Sequence, residues 1–263
     1  MPYADNQGIR IYYEVEGEGP PLVLAHGGTE GLSSWRGAGY VEALKNDFQL
    51  ILFDFRGCGQ SDKPREASAY DRKLMNNDVL AILDNLGIAK AHYFGYSGGA
   101  MTGWLLAARH AERFHSFIIG GMSPYNFPEA MVRVFKEIIE GLELKLTNPE
   151  AYLQRQERRF GRPLTPEERN LLLAEDAEVL IPLLTTGIDW QPLNDHDLAS
   201  ISLPCLVYCG DLDPFHTGAK ESVNHLSQAR FVSLPGLDHL TAASRSDLAL
   251  PHIKKFLAGV SKT

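Results

Sequence analysis

Cysteine is scarce in this 263-residue chain, and its three copies, Cys58, Cys205 and Cys209, form no CxxC pair. That excludes a disulfide framework and a thiol-disulfide motif, so all three are expected to be reduced and structural. Positive charge is also short. Twenty-five Lys and Arg face 33 Asp and Glu, a formal net charge of −8, which excludes the basic footprint that normally holds a nucleic acid. The densest basic stretch, Arg155 to Arg159, is broken by Glu157 and reads as a solvated helix face. No apolar run is long enough for a membrane span. The nearest candidate, Ala91 to Ala108, contains His92, Ser97, Thr102 and four glycines, and fits a strand, a sharp turn and a helix better. The opening residues lack the basic start and continuous apolar core of a secretory leader, so a cytoplasmic location is expected. There is no internal repeat, and no His, Cys or carboxylate cluster has a recognised ligand spacing, so neither a metal nor a cofactor is expected.

What is present is the composition of an ordinary globular domain, 44% hydrophobic and 22% charged. Ile9 to Val15, Pro21 to Ala25 and Phe48 to Phe53 read as strands, and Tyr70 to Leu86 carries apolar residues at helical spacing. A strand over Ala91 to Tyr96, a helix over Met101 to Arg109 and a strand over Phe114 to Ile119 follow. This alternation predicts an α/β fold with a mainly parallel central sheet flanked by helices. It breaks off between about Ser123 and Ser202, where an amphipathic stretch, Ala130 to Leu144, and the capping box Thr165-Pro166-Glu167-Glu168 predict helices. It resumes with a strand over Cys205 to Cys209, a helix around Lys220 to Leu226, a strand over Arg230 to Leu234 and a terminal helix from about Arg245 to Ala258. The expected organisation is therefore a core of residues 1–122 and 203–263, with a helical cap inserted at 123–202.

Gly95-Tyr96-Ser97-Gly98-Gly99 matches G-x-S-x-G, a motif that places a serine on a strained turn between strand and helix. The strand before it and the helical run after it supply the context that the motif requires. A serine hydroxyl is a poor nucleophile at neutral pH, so it needs a base and a third group that orients that base. Gly210-Asp211-Leu212-Asp213-Pro214 and Pro235-Gly236-Leu237-Asp238-His239 each follow an apolar strand, placing carboxylates and a histidine where open α/β sheets build their sites. The residues themselves leave Asp211 and Asp213 both open as the acid. Backbone N–H groups at Gly98 and Gly28 are the expected oxyanion donors, and His26 is expected to brace the Gly28 loop.

The five motifs, His26-Gly27-Gly28, Asp54-x-Arg56-Gly57-x-Gly59-x-Ser61, Gly95-x-Ser97-x-Gly99, Gly210-x-x-Asp213 and Gly236-x-x-His239, resemble in residue and order those of the α/β-hydrolase superfamily. The resemblance covers nearly the whole chain. It implies the α/β-hydrolase fold with a helical cap, and it favours Asp213, three positions after its glycine, over Asp211. The implied triad is Ser97, Asp213 and His239. Serine at the elbow is unlike the haloalkane dehalogenase and epoxide hydrolase branches, which carry aspartate there. Gly98 departs from the bulkier residue that similar enzymes often have after the nucleophile. The implied activity is hydrolysis of a small-molecule carboxylic ester or lactone through an acyl-enzyme on Ser97. Carbon–carbon bond hydrolysis of ring-cleavage products and a slow-turnover ligand receptor stand as alternatives. Tyr125, Phe127, Phe135, Phe160 and Trp190 supply aromatic surface in the cap, more of it expected in packing than in a pocket. Oligomeric state is left open.

Overall fold

The computed structural model describes residues 2–260. The chain opens with a hairpin of β1 (Tyr3–Asn6) and β2 (Ile9–Glu16). Its two-residue turn is Gln7-Gly8, both at positive φ (56° and 86°), the backbone that matches the twist of the flanking strands. β1 was not expected from the sequence, because Tyr3-Ala4-Asp5-Asn6 alternates too briefly to register. Next come β3 (Pro21–Ala25), α1 (Ser33–Gly37), α2 (Tyr40–Leu44), β4 (Gln49–Phe53), α3 (Arg72–Asn85), β5 (Ala91–Tyr96), α4 (Gly98–Arg109) and β6 (Phe114–Gly120).

Five helices separate β6 from the next strand: α5 (Glu129–Thr147), α6 (Pro149–Phe160), α7 (Pro166–Ala174), α8 (Ala177–Ile188) and α9 (Asp195–Ser200). The chain then forms β7 (Cys205–Gly210), α10 (His216–Ser222), β8 (Ala229–Leu234), α11 (His239–Ser244) and α12 (Ser246–Val260). Two helices begin earlier than their sequence patterns suggest. α4 starts at Gly98, its glycine-rich first turn held by tertiary contact rather than by propensity. α10 starts at His216, because the Asp213 loop launches it: His216 N–H bonds to Asp213 O at 2.9 Å.

All eight strands form one sheet in the order β1-β2-β4-β3-β5-β6-β7-β8. β2 runs antiparallel to both β1 and β4, and every pairing from β4 to β8 is parallel. Helices cover both faces, which is why the central strands read as unbroken apolar runs. Alternate residues divide between two cores: Val23, Ile51, Tyr93, Phe117 and Val207 pack with Trp104 of α4. Leu22, Leu24, Leu50, Phe94 and Ile118 pack with Trp35, Tyr40 and Ile253 on the other side.

The strand order locates the site. From β3 the chain moves one way to β4, then returns to the other side of β3 for β5, so a crevice opens between the carboxyl ends of β3 and β5. Ala25 is in register with Gly95, so the segments beginning at His26 and Ser97 emerge side by side.

Candidate active site

Ser97 sits at φ 52° and ψ −112°, a left-handed backbone that a non-glycine residue holds only when its surroundings over-determine it. Those surroundings are specific. Ser97 N–H donates to Gly120 O at the end of β6 (2.8 Å), and Ser97 O accepts from Met101 N–H (2.9 Å), which starts α4. A Cβ on Gly95 would stand 2.4 Å from the carbonyl carbon of Gly99, and one on Gly99 would stand 2.0 Å from Ala25 O. Both outer glycines of the motif are therefore fixed by close backbone approach, not by flexibility.

The structure brings Ser97, His239 and Asp213 into one hydrogen-bonded chain. His239 Nε2 lies 2.9 Å from Ser97 Oγ, and its Nδ1 lies 2.7 Å from Asp213 Oδ2. Asp213 is fully buried at its side chain, whereas that of His239 is 19% exposed. The other carboxylate oxygen of Asp213 accepts Phe215 N–H at 2.9 Å, which fixes the plane of the acid. Asp211 is elsewhere: its Oδ1 accepts Gly236 N–H at 2.7 Å and ties the β7 loop to the turn that leads to His239. Tyr96 adds a clasp not foreseen in the sequence, its hydroxyl donating to His239 O at 2.6 Å. Burial raises that phenol far above the usual tyrosine range, so it stays a donor.

The loop after β3 is held from behind. His26 is 1% exposed and burial lowers its pKa, so it is neutral. Its Nε2 accepts Phe55 N–H at 3.1 Å, which leaves the proton on Nδ1 to be donated to Gly27 O at 2.8 Å. Glu30 N–H donates to the same carbonyl at 3.2 Å. In a trans peptide the N–H points opposite the C=O, so anchoring Gly27 O on the protein side turns Gly28 N–H outward, away from it. Among the described residues neither Gly28 N–H nor Gly98 N–H meets an acceptor. A Cβ on Gly98 would point at Gly28 N, 3.1 Å away, so a larger residue at 98 would press on the Gly28 loop.

Asp54-x-Arg56-Gly57-x-Gly59-x-Ser61 frames the loop after β4. Asp54 accepts Leu32 N–H (2.7 Å) and Gln60 N–H (2.8 Å), and Ser61 Oγ donates to Asp54 O. Arg56 turns inward to a buried pair with Asp78 on α3 (2.6 and 2.7 Å), whose Oδ1 also accepts from Asn6. Cys58, Cys205 and Cys209 are free and buried. Burial pushes the Cys58 and Cys205 thiols up to about 12, which leaves them protonated and unreactive.

A cavity of about 420 Å³ opens over Ser97, floored by the β3 and β5 loops and walled by α5 and α8. Its surface is largely apolar. Phe127 and Phe135, stacked with centroids 5.7 Å apart, line it, and Phe127 also meets Phe215 edge-on. Of the other cap aromatics, Trp190 is buried in the core, Tyr125 bonds Asp195, and Phe160 stands exposed beside a second cavity. Three charged residues line the main cavity, Glu30, Arg72 and Arg159, and none was singled out from sequence. For Arg72 there was a signal: it opens α3, where the positive end of the helix dipole disfavours a cation. Among the described residues no group of three or more His, Cys, Asp or Glu is arranged to hold a metal ion, and no helix is long and apolar enough to cross a membrane.

Fold, switch-point crevice and strained serine elbow together define the class. The pattern of the alpha/beta hydrolase fold family matches residues 20–241, and the chain belongs to that family. Among curated proteins it is similar to epoxide hydrolase 4 of Mus musculus, 33% identical over 129 residues that make up 48% of this chain and 34% of that protein. It is similar also to the cis-3-alkyl-4-alkyloxetan-2-one decarboxylase of Shewanella oneidensis, 34% identical over 130 residues, 48% of this chain and 40% of that protein. The matches thus span well under two thirds of these relatives' own length. A solved enol-lactonase from Burkholderia xenovorans LB400 matches over 98% of this chain and 100% of its own, with a TM-score of 0.76 at 26% identity.

Proposed function

We propose that this chain is a serine hydrolase that cleaves a carboxylic ester or lactone through an acyl-enzyme on Ser97. The observation that carries the reading is the continuous hydrogen-bonded chain Asp213–His239–Ser97, with segments of 2.7 and 2.9 Å, at the mouth of an apolar cavity. In this reading Asp213 accepts from Nδ1 of His239 and leaves Nε2 free to take the hydroxyl proton. Ser97 Oγ attacks the carbonyl carbon, and the oxygen that gains charge is met by Gly28 N–H and Gly98 N–H. The latter belongs to the first residue of α4, whose dipole favours negative charge there. His239 then gives its proton to the leaving alcohol, which for a lactone stays tethered to the acyl group, and next activates the water that releases Ser97. Helices α5 to α9, within 123–202, act as the cap that walls the acyl side. The names of two relatives, an enol-lactonase and an oxetan-2-one decarboxylase, support a cyclic ester substrate. A cytoplasmic location accompanies this reading.

The test is intact mass after exposure to a fluorophosphonate, comparing the native chain with Ser97→Ala. One adduct on the native protein and none on the variant is expected, together with a loss of ester turnover of about 10⁴-fold or more. Equal labelling of both proteins, or none on the native chain, overturns the assignment.

A further inference from the structure

The wall of the Ser97 cavity contains a cation, Arg72, that forms no ion pair among the described residues, the charge of Asp71 acting on it only through space. Arg72 begins α3 and reaches toward α8, where its Nη2 lies 3.1 Å from the point a Cβ on Gly187 would occupy. Its Nε is closed off from solvent and meets no acceptor. Among the described residues the one polar contact of its guanidinium is Nη1 to the Met75 sulfur at 3.4 Å, a weak acceptor. Arg10, Arg36, Arg56, Arg113, Arg162, Arg169 and Arg245 by contrast each hold a carboxylate. Asp71, its neighbour in sequence, is occupied in capping Lys73 N–H. Burial lowers the Arg72 pKa to about 10, still charged at neutral pH.

A buried donor without a partner costs stability, more so when it is charged, and it sits here at the unfavourable end of a helix dipole. Such a cost is understandable where a ligand supplies the missing partner. Arg159 is the other cation on the lining, and Met75, Met101, Phe127, Phe135 and Leu183 make the wall otherwise largely apolar. Glu30, also on the lining, flanks the nucleophile: a Cβ on Gly27 would lie 3.5 Å from Glu30 Oε2 and 3.6 Å from Ser97 Cβ. The negative wall is thus at the scissile end, and the half-buried positive charge is on the α3–α8 side.

We propose that Arg72 receives a carboxylate carried by the substrate away from the scissile bond, so that the preferred substrate is an apolar ester or lactone bearing a second, free acid group. This rests on Ser97 being the nucleophile. The planar guanidinium fork suits a carboxylate, which it can hold through two parallel hydrogen bonds.

The experiment compares kcat/KM for 4-nitrophenyl hydrogen glutarate and 4-nitrophenyl pentanoate, matched in length and differing in charge, on the native chain, Arg72→Met and Arg72→Lys. The native chain should favour the anionic ester. Arg72→Met should cut the anionic-to-neutral ratio at least tenfold, mainly through KM, and Arg72→Lys should restore part of it. A ratio untouched by Arg72→Met, or a native preference for the neutral ester, overturns the proposal. In parallel, calorimetric titration of Ser97→Ala, with and without Arg72→Met, with monomethyl glutarate and dimethyl glutarate reads the same preference without turnover. Arg72-dependent binding of the monoacid with no hydrolysis of either ester by the native chain keeps the carboxylate site and removes Ser97 as nucleophile. Hydrolysis of both esters with no Arg72-dependent preference does the reverse.

Discussion

The sheet and the helices inserted after β6 are held together to different standards. In the sheet, the central strands are buried on both faces, and the loops that carry Ser97, Asp213 and His239 are cross-tied by backbone and side-chain hydrogen bonds. The inserted segment sends Val179, Leu183, Trp190, Leu193 and Leu198 into the main core, but its own buried clusters are small: Leu142, Ala177 and Leu184 in one, Tyr152, Leu153 and Leu164 in another. α7 buries no residue at all. Five of the nine large hydrophobics exposed among the described residues, Val134, Leu146, Phe160, Leu171 and Leu173, belong to this one segment, which makes it the less tightly sealed part of the chain. The difference teaches a division of labour. Geometry that a reaction would need within fractions of an ångström is placed on the sheet, and much of the wall that would select a substrate is placed on the inserted helices, with α3 supplying Arg72.

The comparison is sharpest where a polar group is buried in the core. Asp78 is wholly buried against Arg56, itself 2% exposed at the side chain, and it also accepts from Asn6. Asp78→Ala would leave the guanidinium with Ala69 O as its remaining acceptor and no compensating charge. A loss of about 3–5 kcal/mol is expected, read as a drop in urea midpoint at unchanged slope. A loss under about 1 kcal/mol would mean that the region around Asn6, Arg56 and Asp78 is no more tightly organised than the inserted helices, and the contrast drawn above would fail.

How much of this was legible in the sequence follows the same division. The parallel strands were readable because burial on both faces leaves unbroken apolar runs, and the elbow because its glycines, demanded by close backbone approach, fall within one short segment. Ser97, Asp213 and His239 each stand on the segment that follows a strand, so the sheet order alone brings their loops to one edge. α11 escaped notice because its cap, Asp238 with Thr241, lacks the Glu or Gln usual at the third position and overlaps the His239 loop. Glu30 was invisible as a site residue, and Arg72 showed only as a cation at the unfavourable end of α3, for a different reason. Their place on the cavity depends on how α3 and the β3 loop meet α5 and α8, and no local pattern encodes that meeting. The same holds for Phe127 and Phe135, which could not be told from Trp190 or Tyr125 until the packing was known.

A smaller effect separates ordered from loose within the inserted helices themselves. Thr165 closes a full capping box on α7, its hydroxyl accepting Glu168 N–H at 3.2 Å while Glu168 Oε2 accepts Thr165 N–H at 2.8 Å. Because α7 buries nothing, its own caps contribute a larger share of its stability than they would in a core helix. Thr165→Ala is expected to cost about 1 kcal/mol if the inserted helices unfold together with the core. If they open separately, the global unfolding midpoint stays put, and the loss appears instead as faster hydrogen exchange confined to residues 166–174. Either result sets how cooperative the two regions are.

The smallest effect expected is at Leu171, which is 71% exposed on α7. An exposed leucine loses little on replacement by a polar residue, because its area is already in water. Leu171→Ser should change stability by no more than about 0.5 kcal/mol, measured by denaturant unfolding at two protein concentrations. A loss of more than about 1 kcal/mol that grows with protein concentration would mean that a second copy of the chain covers this face. The inserted helices would then be better packed in the assembly than in the single chain, and the contrast with the sheet would belong to the isolated chain alone.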